Sequence, residues 1–123
     1  MRWLAIDTSG GTTVGVVDHA GDAVEGSAPD ELAVRTTDDA RSHVEALAPL
    51  IAACLEESGT AVADLDVVVV GTGPAPFTGL RVGIASAAAF ARAARLPVHG
   101  VSSLDAIAWS RPAPTVVVTD ARR

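Results

Sequence analysis

A mixed sheet with helices packed on it, an α/β fold, is what this sequence predicts, and three observations predict it. The opening third carries short apolar runs separated by turn-rich strings; the pattern then switches to helical spacing; from there helical and β-branched segments alternate toward the C-terminus. Strands joined by tight turns pair antiparallel, whereas strands joined through helices run parallel, so one sheet holds both kinds of pairing. At 123 residues the chain suits one compact domain with a core of its own.

Trp3-Leu4-Ala5-Ile6 is the first apolar run and ends at Asp7, before the turn-rich Thr8-Ser9-Gly10-Gly11-Thr12. Val14-Gly15-Val16-Val17 reads as the second strand, stopped by Asp18; Ala20-Gly21-Asp22 is turn chemistry, and Glu31 to Thr36 makes a third strand of the meander. From Arg41 to Ser58 the residues Val44, Leu47, Ile51 and Leu55 recur at helical spacing, with Thr37 or Asp38 as N-cap and Gly59 at the C′ position. Pro49 inside this helix removes one i→i−4 bond and predicts a bend. Val67 to Val70 is an unbroken β-branched run of the kind found in a strand covered on both faces. Gly71 to Gly79 is a glycine/proline loop, and Leu80 to Arg95 a second helix. Val98 to Val101 is a strand, Ser102 or Ser103 caps a helix running to about Trp109, and Thr115 to Thr119 is a last strand.

Composition narrows the function classes. Nine basic residues against fifteen acidic ones leave a formal charge of −6, which disfavours a nucleic-acid binder that lives on paired phosphates. All nine basic residues are arginines, so Schiff-base chemistry and a phosphate-clamping lysine are out of reach. A mean hydropathy of +0.35 excludes a disordered chain. The single cysteine, Cys54, forms no intramolecular disulfide and no cysteine zinc site, which reads as a reducing cytoplasm. Arg2 to Ile6 is too short for a signal-peptide core, and Ile84 to Leu96 is broken by Arg92 and Arg95, so no membrane span is expected.

Two strings carry candidate chemistry. Asp7-Thr8-Ser9-Gly10-Gly11-Thr12 places a carboxylate at a strand end before small hydroxyl and glycine residues. Such a string holds hydrated Mg²⁺ while backbone N–H groups face phosphate, or it caps a turn and shapes a hairpin. The loop Gly71 to Gly83 joins a buried strand to a helix, where anion sites form. It is not a P-loop, because five residues separate Gly73 from Gly79 and Leu80-Arg81 stands where Lys-Ser/Thr belongs. Arg81 on the helix's first turn grips a carboxylate or phosphate, or pairs with an acidic neighbour. The rest weigh less. Asp7, Asp66 and Asp105 would have to converge for a two-metal cluster, and Asp66 precedes its strand at the opposite end. His43 has Leu47 at i+4, His19 and His99 lack a partner at ligand spacing, Cys54 reads as a buried small hydrophobe, and Trp3 and Trp109 read as core.

The helices carry more apolar surface than one sheet requires. Leu50 and Cys54 widen the first helix's stripe; Gly83, Ala87, Ala91 and Ala94 give the second a small-residue stripe, broadened by Ile84, Ala88 and Phe90. Such helices want a second neighbour: each other, or a partner's helices in a four-helix packing.

Ala5-Ile6-Asp7-Thr8-Ser9, Arg41-Ser42-His43-Val44-Glu45, Val70-Gly71-Thr72-Gly73-Pro74 with Phe77-Thr78-Gly79-Leu80-Arg81-Val82-Gly83, and Asp120-Ala121-Arg122-Arg123 together resemble the TsaB (YeaZ) family. Its members are bacterial partners of TsaD in making threonylcarbamoyladenosine beside the tRNA anticodon. The G-P-x-x-F-T-G-L-R string is the specific part, and Ala75-Pro76 stands where the family usually has Gly-Ser. The resemblance implies a ribonuclease-H-like, actin-like (ASKHA) lobe with a mixed five-stranded sheet over residues 1–112, and over 113–123 a strand leading into a second lobe absent from this chain. It implies a non-catalytic subunit without cofactor, since Val101 to Ile107 lacks the metal-binding histidine pair that TsaD carries there. It further implies a TsaD interface on the helices at Arg41–Ser58 and Gly79–Arg95, through His43, Leu47, Leu50, Cys54, Gly83, Ala87, Phe90, Ala91 and Ala94. Gly73, Pro74, Phe77, Thr78, Gly79 and Arg81 then anchor the second helix, and Asp7, Thr8 and Ser9 are a vestigial nucleotide site. TsaE joins the larger complex, the chain alone forms a homodimer, tRNA is met only indirectly, and the location is cytoplasmic. A charge placed on the small-residue face, Ala87→Glu, is expected to sever the TsaD contact and leave the fold intact. The alternatives are an ATP/Mg²⁺ phosphotransferase lobe using Asp7 and the Thr8–Thr12 turn, and a glycoprotease-like peptidase.

Overall fold

The computed structural model describes residues 1–20, 27–38, 43–75, 77–109, 111 and 114–119, and not the side chains of His43, Val44 and Phe77. Five strands, β1 (Arg2–Asp7), β2 (Thr12–Asp18), β3 (Asp30–Thr37), β4 (Val67–Gly71) and β5 (Val98–Val101), form one sheet in the order β3-β2-β1-β4-β5. β1 lies at the centre, antiparallel to β2 (Ile6 opposite Val14) and parallel to β4 (Ile6 opposite Val70). β3 returns antiparallel to β2 with a bulge at Val16/Val17, and β5 extends the parallel half. The mixed sheet expected from the switch of period is therefore present.

Helices α1 (His43–Glu57) and α2 (Phe77–Ala94) cover one face. The strand period of two turns Leu4, Ile6, Val14, Val16, Val68 and Val70 toward them, and Leu47, Ile51, Cys54, Ala87 and Ala91 close the core from above. Fully burying each of the larger of these side chains stabilises the fold by about 1.5–3 kcal/mol. α1 stops as its sequence prescribes: Gly59 takes φ +62°, its N–H donates to the Glu56 carbonyl, and the Thr60 N–H donates to Leu55. α2 ends with the same bonds, Arg95 to Arg92 and Leu96 to Ala91, but the left-handed position (φ +58°) is held by Arg95 instead of glycine. α1 runs through Pro49 unbroken. Arg41, Ser42 and the turn at Gly21-Asp22 lie outside the described residues.

Four expectations are corrected. α2 starts at Phe77, three residues before Leu80, and ends before Arg95. Thr115 to Thr119 forms no strand; Val116 and Val118 are 89 % and 86 % exposed, because β propensity makes a strand only where a neighbour takes up its backbone groups. β4 is covered unevenly: Val68 and Val70 are buried beneath the two helices, while on the other face Val67 is buried and Val69 half-buried. That second face is flanked by α3 (Ser103–Trp109), whose Ala106 helps line a shallow apolar depression of about 220 Å³ over Ala5, Gly15, Val69 and Val101. Trp109 is not core but 68 % exposed, since it falls at the last position of this one short helix. Trp3 is half-buried and stacks on His19, ring centroids 5.8 Å apart. A 3-10 turn at Val62–Asp64, closed by the Ala61 N–H on the Asp64 carboxylate (3.1 Å), leads into β4.

Candidate functional site

β1 delivers Asp7 to the end of the sheet where the β4–α2 loop and α3 also begin. Both carboxylate oxygens are engaged. Oδ1 accepts the Ser9 backbone N–H (2.7 Å) and the Ser9 hydroxyl, and Oδ2 accepts the Ser103 hydroxyl at 2.7 Å. Ser103 Oγ in turn accepts the Gly73 N–H at 3.2 Å, and the Ser103 N–H donates to the Gly73 carbonyl at 3.0 Å. A Cβ at Gly71 would overlap the Asp7 carboxylate, so glycine at that position is a steric requirement. Thr72 ties the same loop to β5, its N–H donating to Val101 O at 2.8 Å. The string is thus a clasp joining β1, the loop with its cis Gly73–Pro74 bond, and α3. Ser103 lies 96 residues from Asp7, and no local signal pairs them.

Thr8 is buried, and its hydroxyl donates to the Gly79 carbonyl in the first turn of α2 (2.8 Å). The vestigial-site residues Asp7, Thr8 and Ser9 do come together, but every side-chain group they offer is already bonded inside the chain. A hydrated Mg²⁺ needs free carboxylate oxygens and a phosphate needs free donors. A ligand at this end of the sheet would have to compete with these internal bonds. Of the loop residues, Gly73, Pro74, Thr78, Gly79 and Arg81 do surround the start of α2, and Arg81 and Thr78 are exposed; the Phe77 side chain lies outside the described set.

The helix residues expected at an interface divide by burial. Leu47, Cys54, Ala87 and Ala91 are at most 2 % exposed and Gly83 is buried, all against this chain's own sheet. They belong to the core, because the same stripe that faces a sheet has no second side. Leu50, Phe90 and Ala94 are half-buried at its margin. The His43 side chain lies outside the described residues. Exposed instead are Ala48 and Ala52 on α1, together with Glu45, Pro49 and Glu56, and Ile84, Ala85, Ala88 and Ala89 on α2, together with Arg81 and Arg92, the complement of the buried stripe on each helical wheel. The Ala87→Glu probe thus strikes the core, and its expected innocence toward the fold is corrected.

Cys54 is fully buried, and its thiol donates to the Val14 carbonyl at 3.3 Å. Burial, and secondly the negative charge of Glu57, push its pKa up, which makes it inert as a nucleophile at neutral pH. Asp66 accepts the Arg2 N–H at 2.7 Å, five strand positions and thus about 16 Å from Asp7. Among the described residues no group of three His, Cys, Asp or Glu side chains stands close enough to hold a metal ion. Nor is any described helix long and apolar enough to cross a membrane.

Fold and site together define a ribonuclease-H-like, actin-like lobe whose strand-end carboxylate is spent on its own loops. The family model described as TsaD, tRNA N6-adenosine threonylcarbamoyltransferase, matches residues 34–123, and the chain belongs to that family. Within it, the similarity to TsaB is direct: the Escherichia coli tRNA threonylcarbamoyladenosine biosynthesis protein TsaB is 38 % identical over 87 residues, covering 67 % of this chain and 38 % of that protein. The structure of YeaZ from Pseudomonas aeruginosa superposes with a TM-score of 0.69 at 32 % identity, covering 84 % of this chain and 44 % of that one. An uncharacterized protein of Mycobacterium tuberculosis is 50 % identical over 121 residues, 98 % of this chain and 54 % of that protein. The chain spans about half the length of these relatives or less.

Proposed function

We propose that this chain acts as a TsaB-type, non-catalytic subunit of the threonylcarbamoyladenosine machinery, docking on TsaD through the outer faces of α1 and α2. The observation that carries this reading is that two helices in contact with each other expose small apolar residues, Ala48 and Ala52 on α1 and Ala85 and Ala89 on α2, where helices of another subunit can approach closely. Leu50, Phe90 and Ala94 border that face and make its margin. The chain supports threonylcarbamoyl transfer to the adenosine beside the anticodon without touching the reacting atoms, and the internally bonded Asp7, Thr8 and Ser9 accord with a lobe that performs no chemistry.

In this reading the same face pairs two copies when TsaD is absent, TsaE joins the larger assembly, and tRNA is reached through TsaD, in keeping with the −6 charge. Residues 1–112 are the lobe, residues 113–123 lead toward a second lobe, and the setting is the cytoplasm. Titration calorimetry with TsaD tests the proposal: saturable heat is expected for the wild-type chain and none for the Ala52→Glu/Ala85→Glu variant. Saturable Mg²⁺-ATP binding by the chain alone would instead favour a phosphotransferase lobe.

A further inference from the structure

Glycine in the interior of a helix is costly, because it gives up backbone entropy that alanine does not. α2 nevertheless carries Gly83 seven positions into its length, fully buried, at the point where Thr8 leaves β1. A Cβ built there overlaps Thr8 Oγ1, sits within 2.9 Å of Thr8 Cγ2 and lies 3.1 Å from Thr8 Cβ. One turn earlier, the Thr8 hydroxyl bonds the Gly79 carbonyl. Thr8 therefore fills the space that any side chain at position 83 would need while gripping position 79.

We infer that Thr8 is a positioning residue: its hydroxyl bonds Gly79 and its side chain occupies the space a Cβ at Gly83 would need, a keyed contact that helps fix where α2 lies along the sheet. A one-residue screw of α2 would bring Val82 or Ile84 against Thr8, so the contact opposes that shift. Since Ala85 and Ala89 ride on the same helix, the key also sets the face assigned to TsaD, and this last consequence rests on the docking proposal.

A double-mutant cycle on the whole chain reads the key without TsaD. Gly83→Ala, which at an ordinary buried-helix position with room for a methyl raises stability, is expected to lower the urea midpoint. In a Thr8→Ala background, which removes Oγ1 and Cγ2, the same substitution is expected to cost clearly less. Equal cost in both backgrounds, or a raised midpoint for Gly83→Ala alone, overturns the key. Positioning is read separately by amide exchange. Thr8→Val keeps the shape and removes the hydroxyl, and is expected to speed exchange over residues 80–86; Thr8→Ser restores the hydroxyl and is expected to recover slow exchange there. Unchanged exchange in Thr8→Val overturns the positioning role. A wild-type chain that ignores TsaD refutes the docking reading and leaves both of these results standing.

Discussion

Cys54 gives the residue scale its cleanest test, because the chain contains no lysine and no tyrosine. No lysine or tyrosine side chain therefore titrates alongside this thiol in the alkaline range. The thiol's pKa is raised in the folded state by burial, so the folded protein holds its proton longer than the unfolded chain does. Its contribution is complete below the unfolded pKa, about 8.5, and is lost as the pH rises above it. Urea midpoints of the wild type are expected to fall from pH 8.5 to 10.5 more steeply than those of Cys54→Ala, which lacks the thiol. The alanine variant itself should cost about 1 kcal/mol at pH 7, from lost packing in a sealed site. A second residue runs the other way. Arg95 occupies a left-handed position without being glycine, and Arg95→Gly is expected to stabilise by about 0.5–1 kcal/mol in the same assay. The string after β1 reads either as a turn capped by Asp7 or as a ligand site, and in the structure the Asp7 carboxylate accepts the Ser9 N–H within that turn. The bond from Asp7 to Ser103 was not readable, because it joins residues whose neighbourhood is created only by the parallel pairing of β1, β4 and β5.

At the scale of elements, periodicity was informative wherever burial is one-sided. Leu47, Ile51 and Cys54 at helical spacing, and the alternation of Leu4 and Ile6 with Val14 and Val16, lie in the core as a period of 3.6 or 2 requires. What periodicity does not tell is which neighbour a stripe faces. Gly83, Ala87 and Ala91 suit close packing against a sheet as well as against a foreign helix, and here the sheet takes them. The consequence is testable with two adjacent alanines. Ala87→Glu places an unpaired carboxylate at a fully buried site and is expected to cost on the order of 3–5 kcal/mol, seen as loss of the cooperative urea transition. Ala85→Glu lies on the exposed side and is expected to shift stability by no more than about 0.5 kcal/mol. Thr115 to Thr119 teaches the converse lesson: three valines in a row carry strand propensity, yet without a paired neighbour among the described residues they remain outside the sheet.

For the whole molecule, the order of elements dictated the mixed sheet: a meander followed by helix-linked parallel strands leaves β1 central, and β1 then carries Asp7 and Thr8 to where the β4–α2 loop and the start of α3 meet. Those two residues fasten the loop before α2 and the start of α3, so the end of the lobe that resembles a nucleotide site is a mechanical joint. In the proposed reading the working surface is the outside of α1 and α2. Light scattering on the size-exclusion peak of an equimolar mixture with TsaD tests this most directly. The account predicts a one-to-one complex with the wild-type chain and separate peaks with a folded Ala52→Glu/Ala85→Glu variant; a variant that still travels with TsaD would contradict it.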